Sequence, residues 1–484
     1  MKAKLVKPQN LKGFQDQLPE DMLVRRRVIE TIQKSYELFG FLPLDTPVME
    51  SFETLMGAGG TEIAKEIFRL QTPEEEDAAL RFDLTVPFAR VISQYRDRLK
   101  LPFRRYHMGP VFRADKPGPG RFRQFTQFDI DIAGARTIAA DAEVVAVLCH
   151  AMNALGLTKE GAPLFRIRIS NRVLLDALLD GCGIEDPEKV KHILRVIDKL
   201  QKVGIDNVRK ELGEGRIDDS GDPIPGVHLS EDTIEIITRF VEVATDSRER
   251  MIEKLEALLP QTKLAEEALA QMRELHAFLT ALDVSEEEAV FDPSLTRGLD
   301  YYTGPVFEIE IPACREVGSV GGGGRYNRLC SRFLSQDIPA TGASIGLDRL
   351  LAALSSLGLV TTQKSNVQVC IATVGKVARD EVLKIASELR AAGISTMPYL
   401  GNKKNMGDQL SNADSYDIPV AVIIGEDELQ RGEVSVKNLI QGKEIRQDIK
   451  DHDEYRQAGT AGQQTVARTE MVSVILRILS SVER

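Results

Sequence analysis

The spacing of apolar residues changes along the chain, and each change marks an expected element. From Glu20 to Phe39, Val28, Ile29, Ile32, Tyr36 and Phe39 fall on one helical face, with Pro19 ahead of them and Gly40 behind as start and stop signals. Phe41 to Met49 carries Pro43 and Pro47, which lack ladder donors, so it predicts an edge or interface strand. Short apolar runs follow at Glu66–Leu70, Leu80–Leu84, Arg104–Met108, Val111–Arg113 and Phe122–Ile132. Without regular helical crossovers they predict a mostly antiparallel sheet. Leu164 to Ile169 alternates as a further strand, and from Asn171 to about Glu288 helical periodicity takes over around a turn-rich loop at Gly213–Pro225. The sheet resumes at Val306–Ile311 and ends in a helix from about Leu347, and Ser355–Asn366 is a polar linker.

Beyond the linker, Val367–Thr373, Ile394–Met397 and Ile418–Ile424 read as strands, separated by helices near Ala378–Ala392 and Asn405–Ala413. That order predicts a small α/β domain with a parallel sheet. Glu433–Ile440 and Lys443–Ile449 look like an added hairpin.

Composition narrows the class. The 484 residues carry a net charge of −11, which disfavours a protein that coats nucleic acid with its whole surface but leaves local basic patches free to bind RNA. Five widely spaced cysteines without a C-x-x-C pair predict neither a disulfide framework nor a zinc site, and the scattered histidines predict no metal centre. No apolar run reaches spanning length and no apolar signal core is present, so a cytoplasmic protein without membrane contact is expected.

Three segments carry chemistry. In Arg297-Gly-Leu-Asp-Tyr-Tyr-Thr-Gly304 a cation with five fixed donors precedes Tyr301 and Tyr302, whose hydroxyls can donate and accept. Between Arg104 and Phe125, six basic residues (Arg104, Arg105, Arg113, Lys116, Arg121, Arg123) face one acid, Asp115, across Lys-Pro-Gly-Pro-Gly120. Such a strand–loop–strand can clamp a phosphate. Strand alternation puts Gln127, Asp129 and Asp131 on one face, where acids are solvated, paired or functional. No Walker-type or dinucleotide-binding glycine loop is present, and Gly321–Gly324 reads as a tight strand turn with close backbone approach. His107 reads as a packed or structurally bonded core residue.

These motifs resemble a known family. Gly109–Asp115 with Arg121–Phe125 resembles motif 2 of the class II aminoacyl-tRNA synthetases, Asp348-Arg349 resembles motif 3, and Phe41–Glu50 stands where motif 1, the dimer-forming element, is expected. The segment 297–310 and Arg81–Arg90 resemble the substrate segments of the histidyl-tRNA synthetases.

The resemblance implies an α+β class II catalytic domain with a helical insertion and a C-terminal α/β anticodon-binding domain. It divides the chain at 1–170, 171–288, 289–355 and 367–484. The implied reaction joins L-histidine to its tRNA at the expense of ATP accompanied by Mg²⁺, in a homodimer. Histidine is expected to be held by Asp83, Leu84, Thr85, Gln127, Asp131, Tyr301 and Tyr302, and ATP by Arg113, Arg121, Arg297 and Arg349. Arg113 and Arg297 act at the α-phosphate. Candidate tRNA contacts are Lys116, Lys403, Lys404, Gln409 and Lys437. Asp83 and the insertion resemble the eukaryote-like branch, and Lys116 departs from the arginine common in bacterial members. The alternative is a non-catalytic histidine sensor of the ATP phosphoribosyltransferase regulatory type.

Overall fold

The computed structural model describes residues 5–56, 66–118, 120–218, 221–296, 301–402, 405–441 and 462–482. The chain divides into two compact units, Met1–Asp16 with Val28–Val360, and Gln17–Arg27 with Thr361–Arg484.

The first unit is built on one sheet of eight strands: β1 (Leu42–Pro43), β2 (Phe103–Phe112), β3 (Gln124–Ala133), β4 (Arg166–Asn171), β5 (Ala289–Phe291), β6 (Pro305–Glu310), β7 (Gly321–Arg325) and β8 (Ala340–Gly346). Their order is β1-β2-β3-β8-β7-β6-β4-β5. From β2 to β4 every pairing is antiparallel, as expected, but the two edge pairs, β1–β2 and β4–β5, are parallel. A parallel pair needs a long crossover, and the helical block between β4 and β5 supplies one. The sheet is therefore mixed.

Several local expectations shift. Arg104–Met108 and Val111–Arg113 form the single strand β2, which runs through Pro110. Among the described residues β1 covers that edge of β2 only at Arg105 and Tyr106, so Pro110 sits at an edge position. The run Leu80–Leu84 is not one strand: Asp77–Leu80 ends, and helix α1 (Thr85–Gln94) begins. The carboxylate of Asp83 accepts the Val86 amide at 3.0 Å, which satisfies a first-turn donor and starts the helix. Gly321–Gly324 is not a turn but the body of strand β7. A Cβ on Gly323 would fall 1.9 Å from the Gly342 carbonyl, so only a side-chain-free residue allows the approach.

The sheet packs against helices Pro19–Leu38 and Ala139–Ala154, whose Val28, Ile32, Tyr36, Val144 and Leu148 are buried with Phe128 and Ile130 of β3. The segment between Arg172 and Ala281 is predominantly helical, and Asn171, Asp186, Ser230, Ser247 and Thr262 each accept a first-turn amide. Its expected glycine-rich loop contains a small hairpin, Gly215–Ile217 with Pro223–Pro225.

In the second unit, β9 (Val369–Thr373), β10 (Thr396–Pro398) and β11 (Val420–Ile424) are parallel, and β12 (Glu433–Asn438) and β13 (Gln463–Ala467) extend the sheet antiparallel, in the order β10-β9-β11-β12-β13. The expected hairpin arm Lys443–Ile449 lies outside the described residues; β12 pairs with β13 instead. Two expected RNA contacts are corrected here. Gln409 is 3% exposed, and its amide accepts from Thr373 N at 2.9 Å and donates to Thr373 O at 3.1 Å. Lys437 is 3% exposed within β12. Both side chains are committed to the interior, because a polar residue on a packed strand or helix face is satisfied locally. Lys403 and Lys404 lie outside the described residues. No helix among the described residues is long and apolar enough to cross a membrane.

Replacing Gly323 by Ala should destabilise the protein by about 1–3 kcal/mol or more through backbone overlap. A lowered urea midpoint checks this; an unchanged one would show that β7 and β8 can separate.

Candidate active site

Above the central strands lies a cavity of about 680 Å³. Its floor is glycine: Gly321, Gly322 and Gly323 of β7 and Gly342 of β8 line it with backbone alone. A Cβ on Gly342 would fall 2.0 Å from Asp131 Oδ1, so the floor also makes room for the acids beside it.

Part of the lining is acidic and phenolic. Asp83, Thr85, Gln127, Asp131, Tyr301, Tyr302 and Tyr326 line it. Tyr301 packs against Tyr302 with ring centroids 4.8 Å apart and against Tyr326 at 5.9 Å. The Tyr326 hydroxyl donates to Asp131 Oδ1. Beneath them the fully buried Arg105 brings Nη2 to 2.6 Å from Asp131 Oδ2 and 3.9 Å from Asp129 Oδ2. Cross-strand register explains the meeting, since Arg105 faces Asp131 and His107 faces Asp129 across β2–β3. Arg105 also donates to the Leu84 carbonyl at 3.1 Å and lies 4.6 Å from the centroid of the Phe88 ring.

Burial dominates the titration of these acids. It pushes Asp129 up to about 7 and Asp131 up to about 6, although Arg105 pulls both the other way. Burial raises Asp83 as well, against the pull of the Val86 amide and Arg113. Asp83 Oδ2 and Gln127 Oε1 are buried and accept no hydrogen bond. Gln127 instead donates its Nε2 to Ser344 Oγ at 2.8 Å. Two buried acceptors, in residues that line one cavity, are thus without a protein donor.

Three arginines share the lining with these residues and with Glu66, Asp115 and Asp348. Arg113 donates from Nε to the Phe82 carbonyl at 3.2 Å, and its guanidinium carbon lies 5.2 Å from the Phe125 ring centroid. Arg121 is held by Asp115 through Nε at 3.0 Å and through Nη2. Arg349, on helix α2 (Leu347–Ser356), donates to the Ser319 carbonyl at 3.0 Å, while its neighbour Asp348 accepts the Thr126 amide at 2.8 Å. Arg113, Arg121 and Arg349 share the cavity with the acids. Strands β3 and β8 thus join an acid pocket to a guanidinium array, an arrangement that suits a ligand with an ammonium at one end and phosphates at the other.

The match to known proteins agrees with this geometry. Residues 13–350 match the family model described as histidyl-tRNA synthetase, and residues 368–478 match an anticodon-binding domain. The chain belongs to the histidyl-tRNA synthetase family. It is 40% identical to the histidine–tRNA ligase of Paracoccus denitrificans, covering 98% of each chain, and 39% identical to that of a Ruegeria species, covering 97% of this chain and 96% of the relative. The crystal structure of histidyl-tRNA synthetase from a Nostoc species superposes with a TM-score of 0.79 at 29% identity, over 98% of this chain and 100% of that one.

Of the site residues expected from the histidyl-tRNA synthetase resemblance, Asp83, Thr85, Arg113, Arg121, Gln127, Asp131, Tyr301, Tyr302 and Arg349 line the one cavity. Arg297 lies outside the described residues. Leu84 is corrected: its side chain is fully buried and does not line the cavity, and its carbonyl serves Arg105. Lys116 is exposed. At the base of the basic hairpin, Arg104 pairs with Glu143 at 2.7 Å, and Arg105 is the buried counter-ion of the acids. His107 is structural as expected: it meets Asp45 at 2.9 Å, and burial, with Arg105 and Arg81, drives it down to about 3. Tyr326 and the role of Arg105 escaped the sequence reading. Arg105 carries a signal, since it alternates with His107 on the β2 face opposite Asp129 and Asp131.

Asp129 titrates in the fold near 7 but near 3.9 in the open chain, so its neutral form is the stabilising one. Its contribution is full below about pH 4 and is lost as pH rises to about 7. Relative to wild type, Asp129→Asn should therefore gain thermal stability progressively across that window. A difference in melting temperature independent of pH would contradict this.

Proposed function

We propose that this chain activates L-histidine with ATP and transfers it to the 3′ end of histidine tRNA. The observation that carries the reading is one cavity lined by Asp83 and Gln127, each with an unsatisfied buried acceptor, Oδ2 and Oε1, and by Arg113, Arg121 and Arg349. The α-ammonium group of histidine supplies the missing donors. The imidazole, with one N–H and one bare nitrogen, is read by Asp131 and a tyrosine hydroxyl, Tyr302 in the family pattern. Tyr326 and Arg105 hold the Asp131 carboxylate in place.

A carboxylate oxygen of histidine then attacks the α-phosphorus in line, and pyrophosphate leaves. Arg113 and Arg297 neutralise the α-phosphate and Arg349 the outer phosphates, so the work of the protein is positioning and charge stabilisation. Mg²⁺ arrives with the nucleotide; among the described residues no cluster of His, Cys, Asp and Glu forms a metal site of its own. In the second step a hydroxyl of the terminal ribose attacks the adenylate carbonyl, AMP leaves, and an oxygen of the departing phosphate takes the proton.

The second unit binds the anticodon in this reading, and the block 171–288 is an insertion into the catalytic domain. That block and Asp83 support placement in the eukaryote-like branch. Two copies associate through the motif 1 region, where Leu38, Leu42, Val48 and Met49 are exposed near the β1 edge. Action in the cytoplasm, where tRNA is charged, follows from the same reading. A purely histidine-sensing role is disfavoured by the intact arginine array.

The test is exchange of labelled pyrophosphate into ATP with each of the twenty amino acids. Histidine alone should support it, and Arg297→Ala should slow it by about 10²–10³-fold, the loss typical of one preorganised donor. Exchange with another amino acid, or near-normal rates in the variant, would overturn the assignment.

A further inference from the structure

We propose that Arg168 is a positioning residue for adenylation, locking together the two ends of the segment that carries Arg297, Tyr301 and Tyr302. This rests on the ligase reading above.

Arg168 lies in the middle of β4, between its register partners Val290 on β5 and Glu308 on β6, and is 4% exposed. Its guanidinium makes three separate bonds. Nε donates to Asp292 Oδ2 at 2.7 Å, Nη2 to Ser294 Oγ at 3.0 Å, and Nη1 to Glu308 Oε1 at 3.2 Å. Asp292 and Ser294 form the turn that leads into the segment. Asp292 Oδ1 accepts both the amide and the hydroxyl of Ser294, and the Asp292 amide donates to the Ile169 carbonyl at 2.8 Å. Glu308 stands on the strand that leads out, and it lines the cavity together with Thr296. One planar fork thus spans the incoming turn and the outgoing strand. With its amide oxygen turned inward, Gln201 of the helical block also accepts from the same guanidinium.

A role confined to stability accounts poorly for this arrangement. A buried ion pair often adds little stability over an apolar replacement, and here three of the four acceptors, Asp292, Ser294 and Glu308, flank the one segment. Lysine cannot serve them, because it offers a point charge where three acceptors sit around a plane. Arg168 touches neither histidine nor ATP in this scheme. Asp83, Gln127 and Asp131 of the histidine pocket stand on other elements, whereas Tyr301 and Tyr302 move with the segment. What changes is the placement of the segment, and a shift of about 1 Å in a positioned group costs about 10²-fold in rate.

The experiment compares wild type, Arg168→Met and Arg168→Lys as full chains in histidine-dependent pyrophosphate exchange, with histidine binding by equilibrium dialysis and folding by thermal melting. Both variants should lose about 10–100-fold in kcat, with histidine binding weakened by a smaller factor through Tyr301 and Tyr302, and lysine should not rescue. If Arg168→Met fails to fold, Ser294→Ala removes one acceptor alone and should still lower kcat by about 3–10-fold. A kcat within twofold of wild type in Arg168→Lys and Ser294→Ala, or losses of rate and histidine binding that only track unfolded protein, would overturn the proposal. A wild-type protein without histidine-dependent exchange would overturn the ligase reading on which it stands.

Discussion

The buried guanidinium of Arg105 is the interaction around which the site is organised. Asp129 and Asp131 sit in a region that water scarcely reaches, and an ionised carboxylate there would be prohibitive without a counter-charge. Arg105 supplies it from the adjacent strand, and at the same time ties down the carbonyl that precedes helix α1. The helix start in turn orients Asp83, whose one oxygen accepts a first-turn amide and whose other is buried without a partner. A single side chain therefore links two of the acids to the backbone that presents the third.

The same economy governs the guanidinium array. Among the described residues, each arginine that lines the cavity has part of its fork anchored: Arg113 on a carbonyl and a ring, Arg121 on Asp115, Arg349 on a carbonyl. Groups held before the ligand arrives need little reorganisation when it does, which is what catalysis by charge placement requires. Arg168 extends the principle one layer outward.

Much of this was legible in the sequence where local chemistry and long-range structure agree. Helix Pro19–Leu38 follows from its apolar stripe, and the α/β order of the second unit from its alternation of strand and helix patterns. Site residues in recognisable motifs were found because the motif encodes the whole neighbourhood. Where meaning depends on the partner strand, reading along one chain fails. Arg104 and Arg105 look like neighbours of Arg113 in a basic run, yet strand alternation and pairing send Arg105 under the pocket. Gln409 and Lys437 look like polar surface, but their burial is set by how the second unit folds, which no local signal announces. Gly321–Gly324 reads as a turn by composition, and only its pairing with β6 and β8 makes it a strand.

That glycine strand has one more implication. Most binding pockets owe their contour to side chains that can rotate, and so can be reshaped by a single rotamer or substitution. Here the base of the chamber is main chain held by ladders on both sides, and it has no rotamers to vary. Adaptation to a different occupant must come from the walls, while inhibitors that lie flat against the base would meet a surface with little freedom to mutate away from them.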